Sequence, residues 1–194
     1  WRTVDSTLAA LDGFCQIMQG YGVQEVRAVA TSALLEARNR DVVLDRIRRR
    51  TGLAFEVINE AEENHLLFRA VREEVGAGAS LKAAWSLLAE VGGGGTSLTL
   101  LHRGSPNRSG VYALGAVRLR QQLDLRRQRH DVQIALLKRS IERVIAEIRV
   151  DMPLGRITHL IAVGWDVRFA ASQLLEADRG MREIPRDTFI AFCE

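Results

Sequence analysis

The chain has 194 residues, of which 47% are hydrophobic, and its formal net charge is +3. A chain of this size can bury a substantial core as one large domain or two small ones. No apolar stretch reaches the roughly 20 residues of a membrane span, and no signal peptide precedes the first predicted helix, so we expect a cytoplasmic protein without a membrane partner. Aromatic residues make up only 6%, which disfavours a nucleic-acid surface built on base stacking.

Arginine supplies most of the positive charge and is concentrated in residues 46–50 and 118–129. Such runs commonly form a solvated helix face. The alternative is a basic surface that attracts a polyanionic substrate.

The first part of the chain predicts alternating helices and strands. Glu62 and Glu63 fall in the first turn of the last of these helices, where acidic side chains complement the helix dipole. The predicted elements are a helix at 5–19, a strand at 25–31, a helix from 39 or 41 to 50, a strand at 55–58 and a helix at 61–75.

A small, glycine-containing segment, Gly76–Ser80, predicts a domain boundary that separates residues 1–78 from residues 79–194. The second part begins with three strands that alternate with turns and therefore predict an antiparallel meander. The predicted elements are strands at 84–91, 96–101 and 109–114, turns at 92–95 and 103–108, an arginine-rich helix, a helix at 131–150 and a strand at 158–163.

Four consecutive glycines, Gly92, Gly93, Gly94 and Gly95, join the first two strands of this meander. No lysine follows them, and apolar and polar residues alternate after them with the period of two that is typical of a strand. Both features disfavour a Walker loop or a dinucleotide fingerprint, in which the glycines open a helix. The stretch predicts a hairpin. It is either a flexible turn that binds nothing or a phosphate site made of backbone N–H groups, with the Thr96 hydroxyl as a further donor.

Several segments in this order resemble the Ppx/GppA phosphatases of the actin-like ATPase superfamily. Leu88–Glu90 with the glycines resembles that family's hydrophobic-hydrophobic-Asp-Ile-Gly-Gly-Gly-Ser-Thr-Glu loop. The other matching segments are Ala28–Leu34, which resembles A-T-S-A-L-R, Phe55–Ile58 with Glu62-Glu63, which resembles a strand leading into Glu-Glu-Ala-Arg, and Leu114–Leu119, which resembles L-G-A-V-R-L.

The resemblance implies an α/β fold of two actin-like, RNase H-like lobes with mixed sheets and a ligand cleft between them. The family begins with a glycine-containing hairpin that has no counterpart from Trp1 onward. The first lobe is therefore expected to lack its opening hairpin, and Gly92–Thr96 is expected to face the cleft.

The resemblance also implies residue roles. Glu63 matches the family's general base, which accepts a proton from the attacking water. Gly92, Gly93, Gly94, Gly95 and Thr96 match its phosphate loop. Glu90 matches the aspartate implicated in Mg²⁺ binding, with Mn²⁺ as the alternative ion, and its carboxylate is one methylene further from the backbone.

Some positions depart from the family pattern. Leu35 replaces an arginine, Glu60 a glycine and Ser97 a glutamate. Trp165 and Asp166 replace the Gly-Thr of a second phosphate loop, which puts a ring where backbone amides approach a phosphate and a carboxylate where a hydroxyl donates.

The function implied is that of an acid anhydride hydrolase releasing terminal phosphate from polyphosphate or a guanosine pentaphosphate-like nucleotide. The alternative is a catalytically degenerate relative that binds phosphate or polyanions as a regulatory module. A sugar or acetate kinase of actin-like fold is disfavoured by the L-G-A-V-R-L segment and the Glu-Glu helix start. The sequence leaves open whether the protein forms a homodimer.

Overall fold

A computed structural model describes residues 2–76, 79–123, 129–175 and 181–193. The chain forms two compact units, unit 1 (Trp1–Glu63) and unit 2 (Asn64–Glu194). Within the described part, none of the helices combines the length and apolar composition needed to cross a bilayer.

Unit 1 contains a short parallel sheet and the helices that connect and cover its strands. Strand β1 pairs with β2 in register Ala28↔Phe55. Its elements are α1 (Arg2–Gly20), β1 (Ala28–Ala30), α2 (Ser32–Leu35), α3 (Arg40–Thr51), β2 (Phe55–Val57) and the first turn of α4 (Glu60–Val75).

The core of unit 1 lies between α1 and α3, where Leu8 packs against Val43 and Ile47. Helix α3 ends as the sequence predicts, because Gly52 adopts a left-handed φ of 75° and its N–H donates to the Arg48 carbonyl at 2.9 Å. Glycine tolerates this conformation without a Cβ penalty.

Unit 2 is built on a four-stranded mixed sheet with the order β5-β4-β3-β6. Strands β3, β4 and β5 form the predicted antiparallel meander, and β6 joins β3 in parallel. The elements that follow α4 are α5 (Ala79–Lys82), β3 (Trp85–Val91), β4 (Thr96–His102), β5 (Ser105–Tyr112), α6 (Ala116–Gln122), α7 (His130–Asp151), a short 3-10 helix (Leu154–Arg156), β6 (His159–Val163), α8 (Trp165–Leu174) and α9 (Arg186–Cys193).

Side chains alternate between the two faces of the sheet along each strand. Both faces of this sheet carry apolar side chains, and each is covered by a helix. On one face Leu88, Leu101 and Ile161 pack against Phe68, Val71 and Val75 of α4. On the other face Leu87, Leu98 and Tyr112 pack against Val144 and Ile148 of α7. The α/β class with a mixed sheet is thus confirmed, whereas the absence of an opening hairpin stays a prediction.

The division between the units falls inside α4, whereas the sequence predicts it at Gly76–Ser80, of which residues 77 and 78 lie outside the described part. The physical reason is the packing of Phe68, Val71 and Val75 on the sheet of unit 2, which attaches most of α4 to that unit. The assignment of 1–78 and 79–194 to two lobes stays a prediction.

Two predicted strands have different bounds in the structure. The strand expected at 25–31 is limited to β1, and the strand expected at 109–114 begins earlier, at Ser105. Arg103 and Gly104, with φ of 50° and 75°, form the turn, so Pro106 lies within β5. This strand is an edge of the sheet, where a proline is tolerated.

The helix predicted at 131–150 is present as α7, but its apolar face is only partly covered. Val144 and Ile148 are buried, whereas Ile134 and Ile145 are 41% and 37% exposed. Of the arginine-rich segment 118–129, residues 124–128 lie outside the described part.

Candidate phosphate-binding hairpin

The glycine run forms a tight connection between two antiparallel strands, as the sequence predicts. Strand β3 ends at Val91, which lies opposite Thr96 at the start of β4. The Gly92 N–H donates to the Gly95 carbonyl at 2.9 Å and closes the turn. The glycines therefore do not open a helix.

Close packing restricts Gly93 and Gly95 of the hairpin, and neither has a left-handed backbone. A Cβ on Gly95 would lie 2.9 Å from the Tyr112 carbonyl oxygen, and one on Gly93 would lie 3.1 Å from Cγ2 of Val117. A Cβ on Gly115 would lie 2.5 Å from the Gly93 carbonyl oxygen. The hairpin thus lies directly against the start of α6.

Helix α6 also binds the hairpin through hydrogen bonds. The backbone N–H groups of Val117 and Arg118 donate to the Gly93 carbonyl at 3.0 and 3.1 Å. The Arg118 guanidinium donates from Nε to the Gly94 carbonyl. The sequence placed Arg118 in the basic run 118–129 and in the L-G-A-V-R-L segment, but it did not predict this bond to the hairpin.

The Thr96 side chain is buried, and its hydroxyl donates to the Leu114 carbonyl at 2.6 Å. The hydroxyl proton is therefore used inside the protein. Side-chain donation from Thr96 to a phosphate, which the sequence predicts, would require this bond to break.

The loop after β6 reaches the same end of the sheet as the glycine hairpin, because β3 and β6 are parallel and Glu90 lies beside Val163. Gly164 has φ of 118°, and a Cβ there would lie 2.8 Å from the Val91 carbonyl oxygen. Trp165 and Asp166 form the first turn of α8. The Trp165 ring is 74% exposed, with the Arg168 guanidinium 6.0 Å from its centroid.

Glu90 of β3 is paired with Ser97 on the adjacent strand β4. Glu90 shares the α4 face of the sheet with Leu88, because it is two residues further along β3. The Ser97 hydroxyl donates to Oδ1 of Asn64, a buried residue of α4. Asn64 stands where the family's Glu-Glu-Ala-Arg motif has alanine, so both members of this pair depart from the family pattern.

The donor set around Glu90 decides whether a divalent metal fits. No group of three or more Cys, His, Asp or Glu side chains with metal-binding geometry occurs in the described part of the chain. Mg²⁺ is commonly held by one or two carboxylates, with water and substrate phosphates completing the shell. Glu90 fits a site of that kind, with one protein carboxylate.

Glu63 belongs to unit 1 and lies in the first turn of α4, where its N–H donates to the Asn59 carbonyl at 2.9 Å. The Asn59 side chain caps the helix by accepting the Glu62 N–H at 3.0 Å. The Glu62 carboxylate lies 3.6 Å from the Arg27 guanidinium, which also binds Glu56 at 2.9 Å. Glu62 is therefore part of an exposed ion-pair cluster of unit 1.

The first arginine run is engaged in ion pairs on the surface of unit 1. Arg46 binds Asp5 at 3.1 Å, and Arg50 binds Asp12 at 2.7 Å. The hydrogen bond and charge of Asp12 raise the pKa of Arg50 above its usual value. This run therefore forms a solvated, paired helix face.

The hairpin lies at the carboxyl end of β3, beside the parallel strand β6, and α/β proteins commonly bind ligands outside the carboxyl ends of their parallel strands. The model of the Ppx/GppA phosphatase family matches residues 2–194. The chain belongs to the Ppx/GppA phosphatase family.

Curated relatives of the chain include two mycobacterial proteins. Exopolyphosphatase 1 of Mycobacterium leprae is 34% identical over 118 residues, which are 61% of this chain and 34% of the relative. Exopolyphosphatase 1 of Mycobacterium tuberculosis is 32% identical over 118 residues, 61% of this chain and 33% of the relative. The match thus spans about a third of these relatives' length.

Solved structures show the same fold. An exopolyphosphatase from Cytophaga hutchinsonii superposes with a TM-score of 0.74 at 24% identity, covering 88% of this chain and 53% of that one. The Aquifex aeolicus member of the Ppx/GppA family gives a TM-score of 0.62 at 22% identity, with 88% and 53% covered. The chain therefore spans about half of these structures.

Proposed function

We propose that this protein is a phosphohydrolase that releases terminal phosphate from polyphosphate or from a guanosine pentaphosphate-like nucleotide. The observation that carries the proposal is the match of the phosphatase family over residues 2–194. It is supported by the relatives named exopolyphosphatase. Polyphosphate is the substrate class that these names favour.

The proposal assigns phosphate binding to the hairpin Gly92–Gly95 through the backbone N–H groups of Gly93, Gly94 and Gly95, because the Gly92 N–H is used by the Gly95 carbonyl. The Gly93 and Gly94 carbonyls are both bound by α6, so neither needs a partner from the substrate. Backbone amides in a glycine turn can bind anionic oxygens because no side chain intervenes. Among Gly93, Gly94 and Gly95, no N–H donates to a backbone carbonyl of the described residues.

The proposal assigns Glu63 as the general base. Water is a poor nucleophile, and a carboxylate that accepts its proton raises the rate of attack on phosphorus. Glu90 would hold Mg²⁺ or Mn²⁺ through its single carboxylate. Such an ion, when bound, neutralises charge on the phosphate oxygens.

A second candidate is a catalytically degenerate member of the family that binds phosphate or polyanions as a regulatory module. The hydrogen bond between Ser97 and Asn64 favours it, because a neutral pair replaces a carboxylate beside Glu90. The exposed Trp165 ring and the Asp166 carboxylate at the second loop favour it as well. The cytoplasmic location, the lack of nucleic-acid binding and any homodimer stay predictions.

Measuring phosphate release from medium-chain polyphosphate and from guanosine pentaphosphate separates the two candidates. The protein is assayed with Mg²⁺, with Mn²⁺ and with EDTA. Metal-dependent release that stops in EDTA supports the hydrolase. Tight polyphosphate binding by calorimetry without release under any condition supports the binding module instead.

A further inference from the structure

The two carbonyl groups in the middle of the glycine hairpin are both turned toward α6. The Gly93 carbonyl accepts the backbone N–H groups of Val117 and Arg118 at 3.0 and 3.1 Å. The Gly94 carbonyl accepts Nε of the Arg118 side chain. Arg118 thus contacts two consecutive peptide groups of the hairpin, one through its backbone and one through its guanidinium.

These bonds fix the direction of the next two N–H groups. In a planar trans peptide the N–H of one residue points opposite to the carbonyl of the residue before it. The Gly94 N–H therefore points away from the amides of α6, and the Gly95 N–H points away from the Arg118 guanidinium. The Gly92 N–H is not available to a ligand, because it donates to the Gly95 carbonyl inside the turn.

Glycine peptides rotate at low cost because no side chain restricts their backbone dihedral angles. If the peptide between Gly94 and Gly95 rotated, its carbonyl oxygen would replace its N–H group and would repel a phosphate. A hydrogen bond from a charged guanidinium is stronger than one between neutral groups. It therefore opposes this rotation at the Gly94–Gly95 peptide, which the backbone N–H groups of α6 do not hold.

We infer that Arg118 is a positioning residue of the phosphate loop, which keeps the Gly95 N–H, and with it the Gly94 N–H, directed toward a bound phosphate chain. This inference rests on the proposed function of the hairpin. The close contact at Gly115, where a Cβ would lie 2.5 Å from both the Gly93 oxygen and the Gly95 nitrogen, shows that the start of α6 packs directly against the hairpin. The start of α6 is therefore part of the site.

The experiment compares the wild-type protein with Arg118→Ala, Arg118→Lys and Arg120→Ala. Arg120 lies in the same helix, is exposed and supplies a matched loss of charge. Inorganic tripolyphosphate is the probe, and binding is measured by calorimetry. Two-dimensional amide NMR of ¹⁵N-labelled protein follows the Gly94 and Gly95 signals with and without the probe, and a melting curve checks that each variant is folded.

We expect Arg118→Ala to weaken tripolyphosphate binding about tenfold or more, which is the effect of losing one charged hydrogen bond. Its Gly95 signal in the free protein should move, because the peptide is no longer held. Arg118→Lys keeps the charge and a donor and should recover part of the affinity. Arg120→Ala should leave the Gly95 signal in place and change the affinity by less than Arg118→Ala.

Two results would overturn the inference: unchanged affinity and Gly95 signal in folded Arg118→Ala, or equal losses in Arg118→Ala and Arg120→Ala, which would indicate bulk charge attraction. Failure of the proposed function looks different. In that case the wild-type Gly94 and Gly95 signals do not respond to tripolyphosphate, and neither the hairpin nor Arg118 has a role in binding phosphate.

Discussion

Ser97 of β4 donates its hydroxyl hydrogen bond to the side-chain oxygen of Asn64 on α4. Asn64 is buried, so its amide oxygen depends on this partner. A buried polar group that loses its partner destabilises the folded state by about 1–3 kcal/mol. The pair therefore links helix and sheet in unit 2 beside Glu90.

We predict that Ser97→Ala lowers the free energy of unfolding by about 1–3 kcal/mol, because Asn64 is left without its partner. The double variant Asn64→Ala, Ser97→Ala should lose less than the sum of the two single variants, since residues in contact are coupled. Urea denaturation of the four proteins measures this. Additive losses would mean that the pair contributes no coupling.

We predict that Glu63→Gln reduces turnover about 10²–10⁴-fold, as expected for the loss of a general base. Glu62→Gln is the matched control, because Glu62 only joins the exposed cluster with Arg27, and exposed pairs contribute about 0.2–1 kcal/mol. Initial rates with polyphosphate at saturating metal are the measurement. If Glu63 only complements the helix dipole, worth about 0.3–1 kcal/mol, Glu63→Gln will have a slightly lower melting temperature and an unchanged turnover rate.

We predict that the protein binds ATP and guanosine nucleotides more weakly than about 1 mM, which corresponds to about −4.1 kcal/mol. The Asp166 carboxylate in the first turn of α8 repels phosphates, and Trp165 stands where the family's second phosphate loop has a glycine. Restoring that loop with Trp165→Gly, Asp166→Thr should strengthen binding in calorimetric titration. Asp131→Thr, in the first turn of α7, controls for charge, and micromolar binding by the wild type would contradict the prediction.

We predict a loss of stability at alkaline pH through Tyr112. Burial first, and then the neighbouring Asp151, raise the pKa of Tyr112 above its usual value of 10.0, and its hydroxyl lies 3.3 Å from the Asp151 carboxylate. Since the folded-state pKa is the higher one, the stabilisation is complete below pH 10 and is lost as pH rises through the folded-state pKa.

The test is the melting temperature of wild type and Tyr112→Phe between pH 8 and 12. At pH 8 the melting temperature of Tyr112→Phe should be lower than that of the wild type, because the variant loses one hydrogen bond worth about 0.5–1.5 kcal/mol. Above pH 10 its melting temperature should decline less steeply. Parallel curves for the two proteins would show that Tyr112 does not cause the decline.

Local periodicity was enough to predict most helices, the meander and the glycine hairpin, because these follow from neighbouring residues. It failed at β5, since Pro106 indicates a turn unless the strand is known to be an edge. The boundary between the compact units depends on where Phe68 and Val71 pack, which local periodicity does not show. Distant contacts decide such features.

The same limit applies to the candidate site. The glycines were evident from the sequence, but the bond from Arg118 to Gly94 joins residues 24 positions apart. The pairing of Asn64 with Ser97 spans 33 positions. The departure from the family motif at Ser97 was visible in the sequence, but its hydrogen bond to Asn64 was not.

Pro106 also affects how the molecule behaves toward other copies of itself. Strand β5 is the outer strand of the sheet beyond β4, and edge strands can pair with strands of other molecules and start aggregation. Proline lacks a backbone N–H, so a strand approaching this edge finds an interrupted row of donors. The bulge at Leu100/Leu101 makes this part of the ladder irregular as well, so the exposed edge is a poor template for intermolecular β-sheet growth.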